Sequence, residues 1–254
     1  MTTLKAVIEK NKFAACIPLI SETQEALLKE VEKIEKGPID FLEWRRDYFR
    51  PGTALTMDEE IRILRELKKR CGNCGIIYTY RSHGEGGAYD TADKVRLKAI
   101  SIAKDMVDYV DMELNSEPSF LKGVKAILNN SDCELILSHH NFEKTPCRKA
   151  IEEIYDAMEN QGAAVLKLAV NPASQEDLRR LIGASLKKDE NTLKPIIAIA
   201  MGPLGGITRI APDLCGGSLT YVTGSGKTAP GQLTIEEILI LRNSMGLEKL
   251  PEYR

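Results

Sequence analysis

Lys167 stands alone among apolar neighbours in "AAVLKLAV", residues 163–170. An ammonium in a strand buried on both faces is costly to strip of water unless a partner neutralises it, so this position needs a reason. One reason is structural, an ion pair with Glu43 or Glu113. The other is chemical: desolvation and neighbouring cations free the lone pair of an amine, which then attacks a ketone to form a Schiff base. His140, closing "ELILSHH", is open to the same two kinds of reading. It either caps its strand through a backbone hydrogen bond or works as general acid and base, since imidazole titrates at about pH 6.5 and both takes and returns a proton near neutrality. Glu85 in "RSHGEGG" is a solvated loop carboxylate or the group that orients that imidazole. Arg209 in "GGITR" is a surface arginine at a helix start or a clamp for a substrate carboxylate.

Other motifs carry less. His83, His139 and His140 are the only histidines, and adjacent strand histidines point opposite ways, whereas zinc or manganese needs three converging ligands with supporting partners. "CGNC" at residues 71–74 has redox or half-zinc spacing, but no second Cys/His pair follows at ligand spacing. A Gly-bearing turn from helix to strand is the simpler reading there. "GSGKT" at 224–228 resembles the tail of a phosphate-binding loop, yet the first glycine of such a loop would fall at Tyr221. "MGPLGG" at 201–206 keeps the option of cradling an anion, as loops after the last two strands of a barrel often do. "GKTAPGQ" at 226–232 has the Gly and Pro punctuation of a mobile lid or of an ordinary long loop.

The elements that must position these groups are visible in the periodicity. Short apolar runs recur at 14–19, 39–45, 75–81, 109–114, 134–140, 163–170, 195–201 and 219–224. Amphipathic helical patterns such as "SETQEALLKEVEKIEK", "TMDEEIRILRELKKR", "IEEIYDAMEN" and "TIEEILILRNSM" follow them. Alternating strands and helices imply parallel strands with helical crossovers, and eight such units in about 250 residues have the size of a (β/α)8 TIM barrel. An open doubly wound sheet is the alternative, but no Gly-rich dinucleotide turn follows the first run. With no linker, low-complexity tract or charge block, residues 1–254 read as a single domain. Strand parity turns Lys167 inward with Val165 and Ala169. It pairs Glu43 with Arg45, Thr79 with Arg81, Asp111 with Glu113 and Ser138 with His140, and turns Leu135, Leu137 and His139 toward the helices. In a barrel, the C-terminal ends of the strands are where such groups do chemistry.

Bulk properties point to a small-molecule or protein partner. The chain has 254 residues, is 43% hydrophobic and carries a net charge of −2 with its lysines and arginines dispersed, so it offers no basic stripe for nucleic acid. Six cysteines at positions 16, 71, 74, 133, 147 and 215 are too sparse for a disulfide scaffold. The start lacks the apolar core of a secretory signal, and no apolar run reaches the roughly 18 residues of a membrane span, so a cytoplasmic location is expected.

Taken together, "FLEWRRDYF" (41–49), "TYRSHGEGG" (79–87), "DMEL" (111–114), "SHHNFEKTP" (138–146), "VLKLAVNP" (165–172), "MGPLGGITR" (201–209) and "TAPGQ" (228–232) resemble, in order, the motifs of the type I 3-dehydroquinase family. The resemblance runs along nearly the whole chain. It implies a TIM barrel, usually a homodimer, that eliminates water from 3-dehydroquinate to give 3-dehydroshikimate without a metal or organic cofactor. Carried over by motif, Lys167 is the Schiff-base lysine, His140 the proton-transfer histidine and Glu85 its support. Arg209 holds the substrate carboxylate, while Glu43, Arg45, Arg81, Thr228 and Gln232 meet its hydroxyls or order the site. Thr228 stands where some members have serine, and Asn141 where aspartate is common. Two rivals remain open at this point. An aldolase-type Schiff-base barrel would use the same lysine to cleave a carbon–carbon bond, and a non-catalytic barrel would bind a hydroxylated acid and leave it unchanged.

Overall fold

The computed structural model describes residues 2–34, 38–49, 55–224 and 232–247. Every apolar run becomes a strand: β1 Ala14–Leu19, β2 Phe41–Arg45, β3 Gly75–Thr79, β4 Tyr109–Glu113, β5 Glu134–Asn141, β6 Val165–Val170, β7 Ile196–Ala200 and β8 Leu219–Tyr221. The strands are parallel and ordered β7-β6-β5-β4-β3-β2-β1-β8. Between β7 and β8 the Ser218 N–H donates to the Ile196 carbonyl at 2.6 Å, so the sheet returns nearly upon itself as a single-domain (β/α)8 barrel. Two runs end earlier as strands than their apolar character suggests. The third stops at Thr79, so Arg81 lies just beyond the ladder, where its N–H points to Asp47 Oδ1 at 3.4 Å. The last stops at Tyr221 after only three residues.

Helices follow the strands: α1 Leu4–Asn11, α2 Gln24–Lys33, α3 Met57–Cys71, α4 Asp93–Ala103, α5 Pro118–Leu128, α6 Arg148–Asn160, α7 Gln175–Asp189, α8 Gly206–Ile210 and α9 Ile235–Ser244. Several declare their starts chemically. Thr56 with Glu59, Ser174 with Asp177 and Thr234 with Glu237 each form a capping box that satisfies orphan N–H groups on α3, α7 and α9. α3 also carries acids in its first turn and Lys68, Lys69 and Arg70 in its last, matching the helix dipole. α1 precedes the first strand, which periodicity alone left without an element. Its one buried residue, Leu4, joins the barrel interior, and its N–H donates to Tyr109 Oη at 2.9 Å. Cys71 and Cys74 occupy the turn from α3 to β3 as free thiols, with the Cys74 N–H donating to the Cys71 carbonyl.

The core divides as strand parity requires. Leu135, Leu137, Leu166, Leu168 and Val170 face the helices in one cluster, while Val165, Ala169, Ile136, Phe41, Tyr109 and Ile197 fill the barrel in another. Along each of β2, β4, β5 and β6 the inward sequence runs from apolar to polar: Phe41 then Glu43, Tyr109 then Asp111, Ile136 then Ser138, Val165 then Lys167. An apolar floor thus sits under a charged upper half, with the polar groups at the end from which the βα loops emerge.

Candidate active site

Lys167 is fixed by β6, whose outward leucines dock on the helices and so leave the intervening lysine no direction but inward. It is 4% exposed. Its Nζ donates to Asp111 Oδ2 at 2.6 Å, to Tyr221 Oη at 2.8 Å and to Glu43 Oε1 at 3.3 Å. The ion pair anticipated from sequence is therefore present with Glu43, but its closer partner is Asp111. Glu113 is taken by Arg96 Nη2 at 2.6 Å and by Arg81 Nη1 at 3.4 Å. The pairing explains how the ammonium tolerates burial, and the three acceptors match its three N–H groups.

Asp111 and Glu43 are both more acidic than usual. Burial alone would raise Asp111, but the nearby Arg81 and then Lys167 charges hold it well below the usual carboxylate range. Burial likewise works against Glu43, and the Lys167 charge, helped by Arg45 and Arg81, brings it below its ordinary value. Arg81 ties this layer together: Nη2 donates to Asp111 Oδ1 at 2.8 Å and Nη1 to Ser138 Oγ at 2.6 Å. Arg45, at the end of β2, makes a forked pair with Asp47 at 2.9 and 2.8 Å and donates to the Gly86 carbonyl at 3.1 Å.

His140 is the penultimate residue of β5, with its side chain 12% exposed. Glu85 Oε2 accepts from its backbone N–H at 2.9 Å and lies 3.0 Å from its Nδ1. A carboxylate of this strength only accepts, so Nδ1 carries the hydrogen and Nε2 keeps its lone pair. Burial and the Arg81 charge push His140 down to about 4, against the opposing hydrogen bond of Glu85. Glu85 falls to about 2, because the bonds of His139 and His140 outweigh its burial. His139 turns out of the barrel as parity requires, yet its Nδ1 stands 3.7 Å from Glu85 Oε1 and 2.9 Å from Asn115 Nδ2. Gly86 makes the Glu85 turn possible: its φ is +84° and a Cβ there would overlap the Phe142 ring, which lies parallel to that of His140.

Arg209 sits on α8, and α8 is anchored to the end of β7. Thr208 Oγ1 accepts from the Ala200 N–H at 3.1 Å and donates to the Gly205 carbonyl at 2.8 Å. A Cβ on Gly205 would overlap the Ala200 carbonyl, so the glycine run serves close packing. Arg209 is buried, burial alone lowers its pKa, and its Nε has no hydrogen-bond partner among the described residues.

These groups open on one cavity of 570 Å³, lined by Lys167, His140, Glu85, Arg209, Glu43 and Tyr221 among others. Arg45, Arg81 and the buried Gln232 border it too. Thr228 and the rest of the proposed lid, residues 226–231, lie outside the described residues. Sequence reasoning put Asp111 on the inward face but gave it no role, and it left Tyr221 out of the site. Both were available to parity, since Asp111 shares a face with Glu113 on β4 and Tyr221 with Leu219 on β8. No group of three or more His, Cys, Asp or Glu side chains is placed to hold a metal among the described residues. Nor is any helix there long and apolar enough to cross a membrane. Chemically, the cavity joins a primary amine, an imidazole with an available lone pair and an unpartnered guanidinium suited to a carboxylate.

Comparison with known proteins accords with this. The type I 3-dehydroquinase family matches residues 15–249. A 3-dehydroquinate dehydratase of Shouchella clausii is 33% identical over 227 residues, 88% of this chain and 88% of its own. The 3-dehydroquinate dehydratase structure of Geobacillus kaustophilus superimposes with a TM-score of 0.86 at 28% identity, covering 94% of this chain and 93% of that one. The type I 3-dehydroquinate dehydratase of Clostridium difficile, solved with covalently modified comenic acid, has a TM-score of 0.85 at 26% identity over 91% of this chain and 92% of that one.

Proposed function

The chain belongs to the type I 3-dehydroquinase family and has its hydro-lyase activity, and from that premise we propose that it dehydrates 3-dehydroquinate through an imine on Lys167 with His140 as proton carrier. The observation that carries this reading is the shared cavity, lined by the Lys167 amine, the His140 imidazole and Arg209, whose Nε has no partner among the described residues. The covalent adduct named for the Clostridium difficile relative supports it.

The steps follow from the geometry. Arg209 holds the substrate carboxylate, and Lys167 attacks the C3 ketone to give a protonated imine, an electron sink that acidifies the neighbouring C2 proton. His140 Nε2 removes that proton, with Glu85 fixing the ring through Nδ1. The enamine expels the C1 hydroxyl, which takes the proton back from His140, and hydrolysis of the imine frees Lys167. The imine itself supplies the electron sink, so the reaction runs without a metal or organic cofactor. Arg45, Glu43, Gln232 and Thr228 serve the substrate's hydroxyls, and Arg81 orders the carboxylates under Lys167. An aldolase-type reaction fits less well, since a phosphate-binding site is expected there, whereas Arg45 and Arg81 are already paired with carboxylates and Arg209 offers a forked guanidinium suited to a carboxylate.

Borohydride supplies the test. Reduction in the presence of substrate should inactivate the enzyme and leave an adduct on the Lys167 peptide, and Lys167→Ala should remove both adduct and turnover. His140→Ala should still form adduct but lose turnover by about 10² to 10⁴, the usual contribution of a placed acid–base group. Label on a different lysine, or an active Lys167→Ala, would return Lys167 to a purely structural ion pair.

A further inference from the structure

Tyr221 belongs to none of the motifs that carry the family resemblance, and it occupies the closest quarters of the site. It reaches Lys167 from the last strand. Its Oη accepts from Lys167 Nζ at 2.8 Å and donates to Glu43 Oε1 at 3.3 Å, and its ring centroid lies 4.7 Å from the same nitrogen. We propose that Tyr221 is a further catalytic residue, whose hydroxyl passes protons between Lys167 Nζ and Glu43 while the imine forms and is hydrolysed. This rests on the imine reading above.

The argument is one of hydrogen-bonding capacity. The nitrogen of Lys167 must pass from ammonium, with three N–H groups, to amine, with two and a lone pair, and then to protonated imine, with one. Its other two partners, Asp111 and Glu43, are carboxylates that only accept while ionised. The hydroxyl is the one contact among the described residues that both accepts and donates, so it can follow the nitrogen through all three states. Asp111 is closer to Nζ, but Arg81 and Ser138 already donate to its other oxygen, and the Tyr221 hydroxyl leads to Glu43 instead. Burial holds the Tyr221 hydroxyl in its protonated form, so that it relays a proton without itself remaining ionised.

The step balances within the site. An ammonium proton moves to Tyr221 Oη as the Tyr221 proton moves to Glu43 Oε1, leaving an amine and a neutral carboxyl. The amine lone pair forms the N–C bond as the carbonyl pair moves to oxygen, and a proton shifts from nitrogen to that oxygen to give the carbinolamine. Glu43 then returns its proton through Tyr221 to the carbinolamine hydroxyl, which leaves as water as the nitrogen lone pair closes the C=N bond. Hydrolysis reverses the sequence.

Rapid-quench borohydride trapping on Tyr221→Phe, which keeps the ring, tests the relay. The Lys167 adduct should accumulate about 10-fold more slowly than in the parent, less than the usual acid–base contribution because Glu43 Oε1 keeps its own direct contact with Nζ at 3.3 Å. The isotope effect on kcat/KM with C2-deuterated substrate should fall toward unity as imine formation becomes slow. Adduct formation at the parental rate, or a loss confined to KM, would overturn the proposal. Should the phenylalanine variant not fold, fluorotyrosine at position 221 keeps ring and hydroxyl while changing the acidity; its trapping rate should depart from the parent's, and an identical rate overturns the relay. Absence of any Lys167 adduct in the parent enzyme would instead defeat the imine reading itself.

Discussion

A guanidinium that is buried and short of a partner is an unusual thing for a protein to keep, since each unsatisfied donor loses its hydrogen bonds to water without replacement. Arg209 is in that state at Nε among the described residues, whereas Arg45, Arg81 and Arg96 are each matched to carboxylates. Their arrangement separates arginines that build the site from the one left open to a ligand. A carboxylate bound to Arg209 is held equally in ground and transition state, so Arg209→Ala should raise KM by roughly 10- to 10²-fold with a much smaller change in kcat. Steady-state kinetics decide it, and an unaltered KM would assign the carboxylate to another group.

At the scale of elements, the site depends on close approach between a short helix and a strand end. α8 has only five residues, too few to be stable alone, and it is held by Thr208 and by the direct packing of Gly205 on the Ala200 carbonyl. Gly205→Ala must push α8 away from β7 and carry Arg209 with it. The expected result is a rise in KM close to that of Arg209→Ala, together with lost stability in urea, while borohydride still labels Lys167 at saturating substrate. Parental KM in a folded Gly205→Ala protein would show that α8 does not set the position of Arg209.

For the molecule as a whole, concentrating ionisable groups in the barrel couples stability to pH. His140 at about 4 and Glu85 at about 2 both lie below their ordinary values of 6.5 and 4.5. In each case the unfolded chain binds the proton first, so the stabilising contribution is complete above the ordinary value and is lost as pH falls. Urea midpoints should therefore be level near neutrality, decline from about pH 6.5 toward 4 through His140, and continue down toward about pH 2 through Glu85. A midpoint that stays level across that range would mean these groups titrate alike in both states. The family resemblance also implies a homodimer. The exposed Leu239 and Ile240 on α9 and Met245 just after it are compatible with a covered surface, and light scattering on the purified chain should give twice the monomer mass. A monomer mass at micromolar concentration would remove that expectation.

Periodicity of two along each strand and the alternation of strands with helices sufficed, from sequence alone, to indicate the barrel and the inward face of Lys167, Glu43 and His140. These are local properties, set by the geometry of the backbone and by which side chains avoid water. Motif order indicated the family for the same reason, since each motif is a short contiguous stretch. Parity says nothing of height along the barrel axis or of who stands opposite whom. Those follow from register and from closure, and only the tertiary structure decided that Asp111 and not Glu113 is the near partner of Lys167. Closure also places Glu85 beside both histidines, and it brings Tyr221 of β8 across the barrel to an amine on β6, 54 residues earlier in the chain. Contacts across a closed sheet depend on the stagger of every strand between them, and no single stretch of sequence contains that sum.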